Sequence, residues 1–384
     1  MLQDKTVPSL IKEDKYNELV VLTGGNIVKD TYEQSQNGNY FLKEGISDDQ
    51  YRDLYSFMSE NMHISNAVTI LAIEEPEAHL HPVNQRLIYK DVIKNSNNSV
   101  LLTTHSTHIT AIAPINSIVH LHNNGTKETE IHATATMPMD ESEFLDVERY
   151  LDVKRGEIYL GKAVLLVEGI AEEYLVPRFA ELLGKPLDEK GIIVCNINCT
   201  NFTPYVKLLH SLAIPYAVIT DGDFYVVNDK GEREYHKMNT ENALDVGWLG
   251  MEIIEDMVVR LKLNGENMLP ENTNELDDTF KELGLFVGYY TFEVDMMEKA
   301  AEKEENLDVI CDLFSDLTTG GIVQERNFKT EIKSGEYWKC LRKIEGNGIG
   351  KGRFSQKFAH VCKKEHIPTY IKEAIEYIYK KVNG

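Results

Sequence analysis

Two apolar runs in this chain end in acids. Ala163-Val164-Leu165-Leu166-Val167 stops at Glu168-Gly169, and Tyr216-Ala217-Val218-Ile219-Thr220 stops at Asp221-Gly222-Asp223. Glu172 follows Glu168 by one helical turn, so it can face the same spot. Carboxylates that converge repel each other unless something cationic lies among them. Their hard oxygens suit Mg²⁺ or Mn²⁺ rather than zinc. The spacing therefore predicts that Glu168, Glu172, Asp221 and Asp223 lie close together around metal, with no protein cation among them.

The elements that must position these acids are legible around them. An amphipathic helix over 172–183, a third apolar run at 192–194 and a helix over 203–212 separate the two acid-tipped runs. This βαβαβ alternation predicts neighbouring parallel strands. Ligands of open parallel sheets sit just beyond the carboxyl ends of the strands. An ordinary βαβ domain accounts for any single acid there, but poorly for the ordered set. Glu-Gly, a Glu one turn on, and a later Asp-x-Asp resemble the TOPRIM domain of topoisomerases, primases and certain nucleases.

The chain has 384 residues, enough for about two or three domains. Its five cysteines, odd in number and scattered, predict a reducing and hence cytoplasmic setting. Cys195 and Cys199 lack the second ligand pair of a zinc site. No apolar run approaches the roughly 18 residues of a membrane-spanning helix, and the N-terminus has no signal-peptide pattern. The net charge of −22 speaks against nucleic acid, but it is unevenly spread. From residue 326 onward 14 Lys and Arg face 6 Glu, a net of +8, while the rest carries −30. A basic segment on an acidic body could guide a polyanion to a metal site; a solvated helical face explains the same residues about as well.

The first half carries a second constellation. Residues 19–22 suggest a strand, and 23–26 a turn. The apolar run 68–73 ends in Glu74 and Glu75, then continues Pro-Glu-Ala-His-Leu-His-Pro. It resembles a Walker B strand, whose first acid holds Mg²⁺ through water and whose second orients the water attacking ATP. A helix over 85–94 and a strand ending Thr-Thr-His105-Ser follow, and His105 resembles the γ-phosphate-sensing histidine of ABC-type ATPases. No Gly-x-x-x-x-Gly-Lys-[Ser/Thr] phosphate loop occurs. Residues 45–50 stand where an ABC signature would lie, yet Asp48 and Asp49 replace its glycines; a loop without function accounts for them better. Asn123-Asn124-Gly125 marks a hairpin, and 141–160 an acidic helical connector.

An ABC-type ATPase half followed by TOPRIM is the order in OLD-family (overcoming lysogenisation defect) nucleases, including the nuclease subunit of Gabija phage-defence systems. The resemblance covers roughly 65–360 and carries two further motifs. One is 290–295, expected as a strand ending Glu-x-Asp, where the family has another metal-site acid: Asp295 first, Glu293 second. The other is the Gly-Lys-Gly loop at 350–352, where Lys351 would stand near the scissile phosphate. The resemblance also implies DNA as partner, a homo-oligomer (dimer or tetramer), a partner chain such as a helicase, and phage defence.

The expected architecture is thus α/β. A partial ABC-type ATPase domain occupies 1–160. A TOPRIM nuclease domain occupies 161–384, with an insertion at about 226–285 and a basic helical segment at about 326–384. The expected chemistry is phosphodiester hydrolysis with two Mg²⁺ or Mn²⁺ ions, one held by Glu168, Asp221 and Asp223, the other near Glu172 and Asp295. Lys351 would neutralise charge on the reacting phosphate, and Lys339, Lys343, Arg353 and Lys357 would bind DNA. ATP would bind only if a missing N-terminal half were supplied. The rivals are a topoisomerase or primase on the same fold, and a non-catalytic ATPase-like dimerisation or regulatory scaffold.

Overall fold

The computed structural model describes all residues except 1–6, 24–25, 62–69, 89, 91–98, 124–127, 152–154, 239, 241–242, 266, 347 and 384. The start of the 68–73 run, most of 89–94, and the turns expected at 24–25 and 124–125 lie outside the described residues. The chain forms two compact units, 1–109 and 110–384.

In the first unit, residues 19–22 close a helix, Glu13–Leu22, rather than forming a strand. Leu19 on that helix is fully buried with Val28, Tyr32 and Leu54, which a helical period satisfies. Residues 45–50 are no idle loop: they open the helix Asp48–Asn61. The backbone N–H of Gln50 donates to the Ser47 hydroxyl (3.2 Å), and that of Ser47 donates to the Gln50 side chain (3.0 Å). This is a Ser-x-x-Gln capping box, a helix-start signal that the sequence itself carries. The acid-tipped strand Ile70–Glu74 pairs in parallel with Ser99–Thr103, placing Glu74 opposite Thr103.

The second unit is built on four parallel strands in the order Leu285–Val287, Tyr216–Thr220, Ala163–Val167, Ile192–Asn196. All five residues of Ala163–Val167 are buried. A strand covered on both faces needs such a continuous apolar run. Alternate side chains enter opposite cores. Leu165 and Val167 pack with the helix Ile170–Leu182 and the C-terminal helices, and Val164 and Leu166 with the helix Thr203–Ser211. Ile115, Met137, Val147 and Ile158 join the second core. Packing therefore starts this unit at Thr110, well before the boundary expected near Gly161.

The strands Phe224–Val227, Arg233–Tyr235 and Asp245–Trp248 form a three-stranded antiparallel sheet, and the helices Leu249–Leu261 and Thr273–Glu282 follow. The basic segment is helical, as expected: Tyr337–Glu345, Lys351–Val361 and Thr369–Asn383 all lie in it. Two local expectations fail. Residues 290–295 are not a strand; a loop follows Val287, and Phe292–Ala300 is a helix. Acids in its first turn complement the positive helix end. Lys351 is not in a free loop; it is the first residue of a helix, after Gly350 at φ 75°.

Candidate metal centre

The strand register brings the acids together. Val167 lies beside Ile219, so Glu168 and Asp221 leave the sheet as neighbours. The Asp221 N–H donates to Glu168 Oε2 at 2.9 Å. Glu172 sits in the first turn of Ile170–Leu182, buried at its positive end. A Cβ at residue 169 would lie 2.9 Å from Glu172 Oε2, so the Gly after Glu168 makes room for the second carboxylate. Gly222 has no room for a Cβ either, because the carbonyls of Gly288 and Tyr289 abut it.

The electrostatics follow from burial and crowding. Burial first, then the charge of Asp223, pushes Glu168 up to about 7 against the lowering effect of the Asp221 N–H. Burial, then Glu293 and Glu168, push Glu172 up to about 8. Burial and the neighbouring Glu172, Glu168, Glu293 and Asp223 hold Asp221 well above the usual carboxylate range. Burial raises Asp223 too, opposed by His236 and Lys351.

A protein cation does stand among them, contrary to expectation. Lys351 Nζ lies 3.1 Å from Glu293 Oε2 and 3.6 Å from Glu345 Oε1. Burial disfavours its charge, but Glu293 and Asp221 outweigh burial and hold its pKa above the ordinary lysine value. A cation at the positive end of a helix runs against the dipole. Local rules broken in this way mark functional sites. Gly352 packs on Ile170, which seats the lysine helix over the helix that carries Glu172.

The order of the two later acids is reversed. Glu293 joins the cluster, 2% exposed. Asp295 turns away: its two oxygens accept the N–H groups of Tyr289 and Tyr290, each at 2.9 Å. It clamps the loop behind the site, and burial pushes it up to about 7. The helix start at Phe292 explains the reversal, since residues 293 and 295 of a helix do not face the same way.

The donor chemistry fits a hard divalent cation: crowded carboxylate oxygens whose charge is compensated only in part, by Lys351 and, at Asp223, by His236. The donor positions do not yet converge. Asp221 Oδ1 accepts the Phe292 N–H at 2.8 Å, and Glu293 is engaged by Lys351. Among the described residues no three His, Cys, Asp or Glu side chains are drawn close enough to hold a metal ion.

Elsewhere, Glu75 and His105 meet beyond the strand ends of the first unit, His105 Nε2 lying 3.4 Å from Glu75 Oε1. Glu77, which lies in the acid-tipped motif but has no role assigned to it there, accepts from the Thr104 hydroxyl at 2.7 Å and the His105 N–H at 2.6 Å, tying the two strand-end loops together. Of the basic residues, Arg353 and Lys357 are exposed on the helix that starts at Lys351. Lys339 pairs with Glu336 at 3.1 Å. Lys343 is 19% exposed and paired with Glu331 at 2.5 Å, so its charge is largely spent inside the fold. No helix among the described residues is long and apolar enough to cross a membrane.

A family model described as overcoming lysogenization defect protein-like, TOPRIM domain, matches residues 160–223. Another, the AAA ATPase domain, matches residues 52–110. The chain therefore carries an OLD-like TOPRIM domain preceded by an AAA-type ATPase segment. It is homologous to the Gabija endonuclease and to OLD proteins. Endonuclease GajA of Bacillus cereus (strain HuB5-5) is 23% identical over 380 residues, 86% of this chain and 52% of the relative. The OLD nuclease of Thermus scotoductus (strain ATCC 700910 / SA-01) is 24% identical over 193 residues, 47% of this chain and 36% of the relative. The chain thus spans about half, or less, of the length of these curated relatives. The solved C-terminal region of the Burkholderia pseudomallei OLD protein is 28% identical, with a TM-score of 0.46, over 58% of this chain and 98% of that one.

Proposed function

We propose that this chain is a divalent-metal-dependent DNA endonuclease that acts in phage defence. One observation carries the chemistry: Glu168, Glu172, Asp221, Asp223 and Glu293 crowd one end of a parallel sheet around a single lysine. One or two Mg²⁺ or Mn²⁺ ions held by these carboxylates would polarise the phosphate and supply an activated water. The chain's own residues prepare the place. Glu168 and Asp221 are oriented by backbone N–H groups. Lys351 balances the carboxylates and is placed to meet charge on a bound phosphate. The names of the relatives, an endonuclease and a nuclease, support the reaction class. The test is direct: supercoiled plasmid is nicked or linearised with Mg²⁺ or Mn²⁺ and left intact in EDTA, and an intact plasmid under all conditions speaks for the scaffold reading.

DNA reaches this site over the exposed basic face of the Lys351 helix. Arg353→Glu with Lys357→Glu lowers DNA affinity and flattens its salt dependence by roughly one unit of slope for each phosphate no longer neutralised. Lys343→Glu instead lowers the melting temperature, because it breaks the largely buried pair with Glu331. Equal salt slopes for the doubly reversed protein and the wild type move the DNA path elsewhere.

ATP turnover by this sequence alone is expected to be negligible. No phosphate loop is present to hold the β- and γ-phosphates. Glu75 and His105 then lack a substrate unless another polypeptide provides that half. Phosphate release that vanishes in Glu75→Gln contradicts this expectation.

A further inference from the structure

Beside the acids lies an unusual run of rings. Tyr289 stacks on Phe224 at 5.2 Å and 25°, and meets Trp248 edge-on at 5.3 Å and 80°. Phe224 is 1% exposed, yet Tyr289 is 45% exposed. Both Tyr289 and Trp248 line a cleft of about 690 Å³. A single exposed aromatic residue is ordinary on a protein surface. Here the ring is held flat from behind, opens into a cleft, and belongs to the backbone that supports the metal acids. The Gly222 N–H donates to the Tyr290 carbonyl at 2.7 Å, and the Tyr289 N–H donates to Asp295 at 2.9 Å.

We propose that Tyr289, backed by Phe224 and edged by Trp248, is a stacking ledge for one unpaired nucleobase beside the scissile phosphate. The preferred substrate class is then DNA with an unpaired or extruded base at the cut, not fully stacked duplex. This rests on the nuclease reading of the neighbouring acids and names the substrate of that same site. Bases stack on aromatic faces without regard to sequence, because each has a π-face. A ring already held by its neighbour loses little rotamer freedom on binding. The cleft favours the base over the backbone. Five acids, Asp277, Glu298 and Glu302 among them, line it against Lys281 and Lys299, an excess of carboxylates that repels phosphate and accepts exocyclic amino groups. An enzyme that extrudes a base pays least when the base is already unpaired.

The test measures binding in EDTA, separately from cleavage. The probe is a short single strand carrying a fluorescent adenine analogue, free or annealed into duplex. The wild type should bind the single strand more tightly and quench the analogue by stacking. Tyr289→Ala should weaken single-strand binding roughly ten-fold, abolish the quench, and leave the salt slope unchanged, since every phosphate stays neutralised as before. Tyr289→Phe should retain affinity and quench. Tyr289→Leu keeps the packing on Phe224 without a flat ring, so a folded Leu variant should behave like Ala. Unchanged affinity and quench in the Ala and Leu variants overturn the ledge, as does equal, unquenched binding of single strand and duplex by the wild type. Cleavage with Mg²⁺ on the same preparations separates the two ideas. Binding with quench but no cutting leaves the ledge and removes the hydrolysis. Cutting with no effect of the Tyr289 variants on binding or quench removes only the ledge.

Discussion

Asp221→Ala is expected to cut plasmid at least about 10³-fold more slowly than the wild type, the cost of losing several kcal/mol of charge stabilisation at the reacting phosphate. Asp221 is the residue that the other carboxylates press upon, with Glu172, Glu168, Glu293 and Asp223 all raising its pKa after burial. Glu168→Ala should lose cleavage to a similar extent, because Glu168 accepts the Asp221 N–H and faces the same point. Both variants should keep their affinity for DNA, since neither carboxylate attracts a polyanion. Lys351→Ala separates ligand from charge partner: it should lose cleavage while divalent metal still raises its melting temperature. Gel assays of supercoiled plasmid read the cleavage of all three. Wild-type rates in Asp221→Ala would remove the acids from the chemistry.

The second large effect is on stability. Glu172 has a folded pKa of about 8 against an ordinary value of 4.5, and Glu168 one of about 7. Between those values the folded protein holds protons that the unfolded chain has released. Stability therefore falls as pH rises from about 4.5 through about 8, the reverse of an ion-paired carboxylate. Below 4.5 both states are protonated and the penalty is absent. The total is on the order of a few kcal/mol, shared across a coupled cluster. Metal-free melting temperature should drop across this window, and Glu172→Gln should flatten the drop. Mg²⁺ or Mn²⁺ should restore stability at the alkaline end by mass action, by about 2.7 kcal/mol at a hundred times the dissociation constant. A melting temperature indifferent to both pH and metal would place the carboxylates too far apart to matter.

The parts of this site that are legible in the sequence are those set by strand ends. Continuous apolar runs, their interruption by acids and the helices between them define the parallel sheet and which residues leave it together. Hence spacing alone points to Glu168, Glu172, Asp221 and Asp223. Residues 290–295 mislead because Tyr290-Thr291-Phe292 followed by Glu-x-Asp suits a strand end as well as a helix start. The packing of Phe292, Met296 and Ala300 into one core, at helical spacing, decides for the helix, and with it Glu293 replaces Asp295 at the site. The neutralised Lys343 is illegible for a different reason. Its partner Glu331 lies on a separate helix, Gly321–Lys333, so the pair exists only after the helices pack. Tyr289 is hidden likewise, since its backing ring Phe224 is remote in sequence and adjacent only across the sheet end.

The cleavage proposed for this chain depends on divalent cation binding to the acids around Lys351. The decisive experiment is calorimetric titration of Mn²⁺ into the chain at a pH above 8, where Glu168 and Glu172 are largely ionised. Saturable binding of up to about two ions by the wild type is expected, with most of it gone in Asp221→Ala and most of it kept in Lys351→Ala. Equal binding by wild type and Asp221→Ala, or none by either, would contradict the metal site and leave Lys351 as the resident cation of a structural cluster.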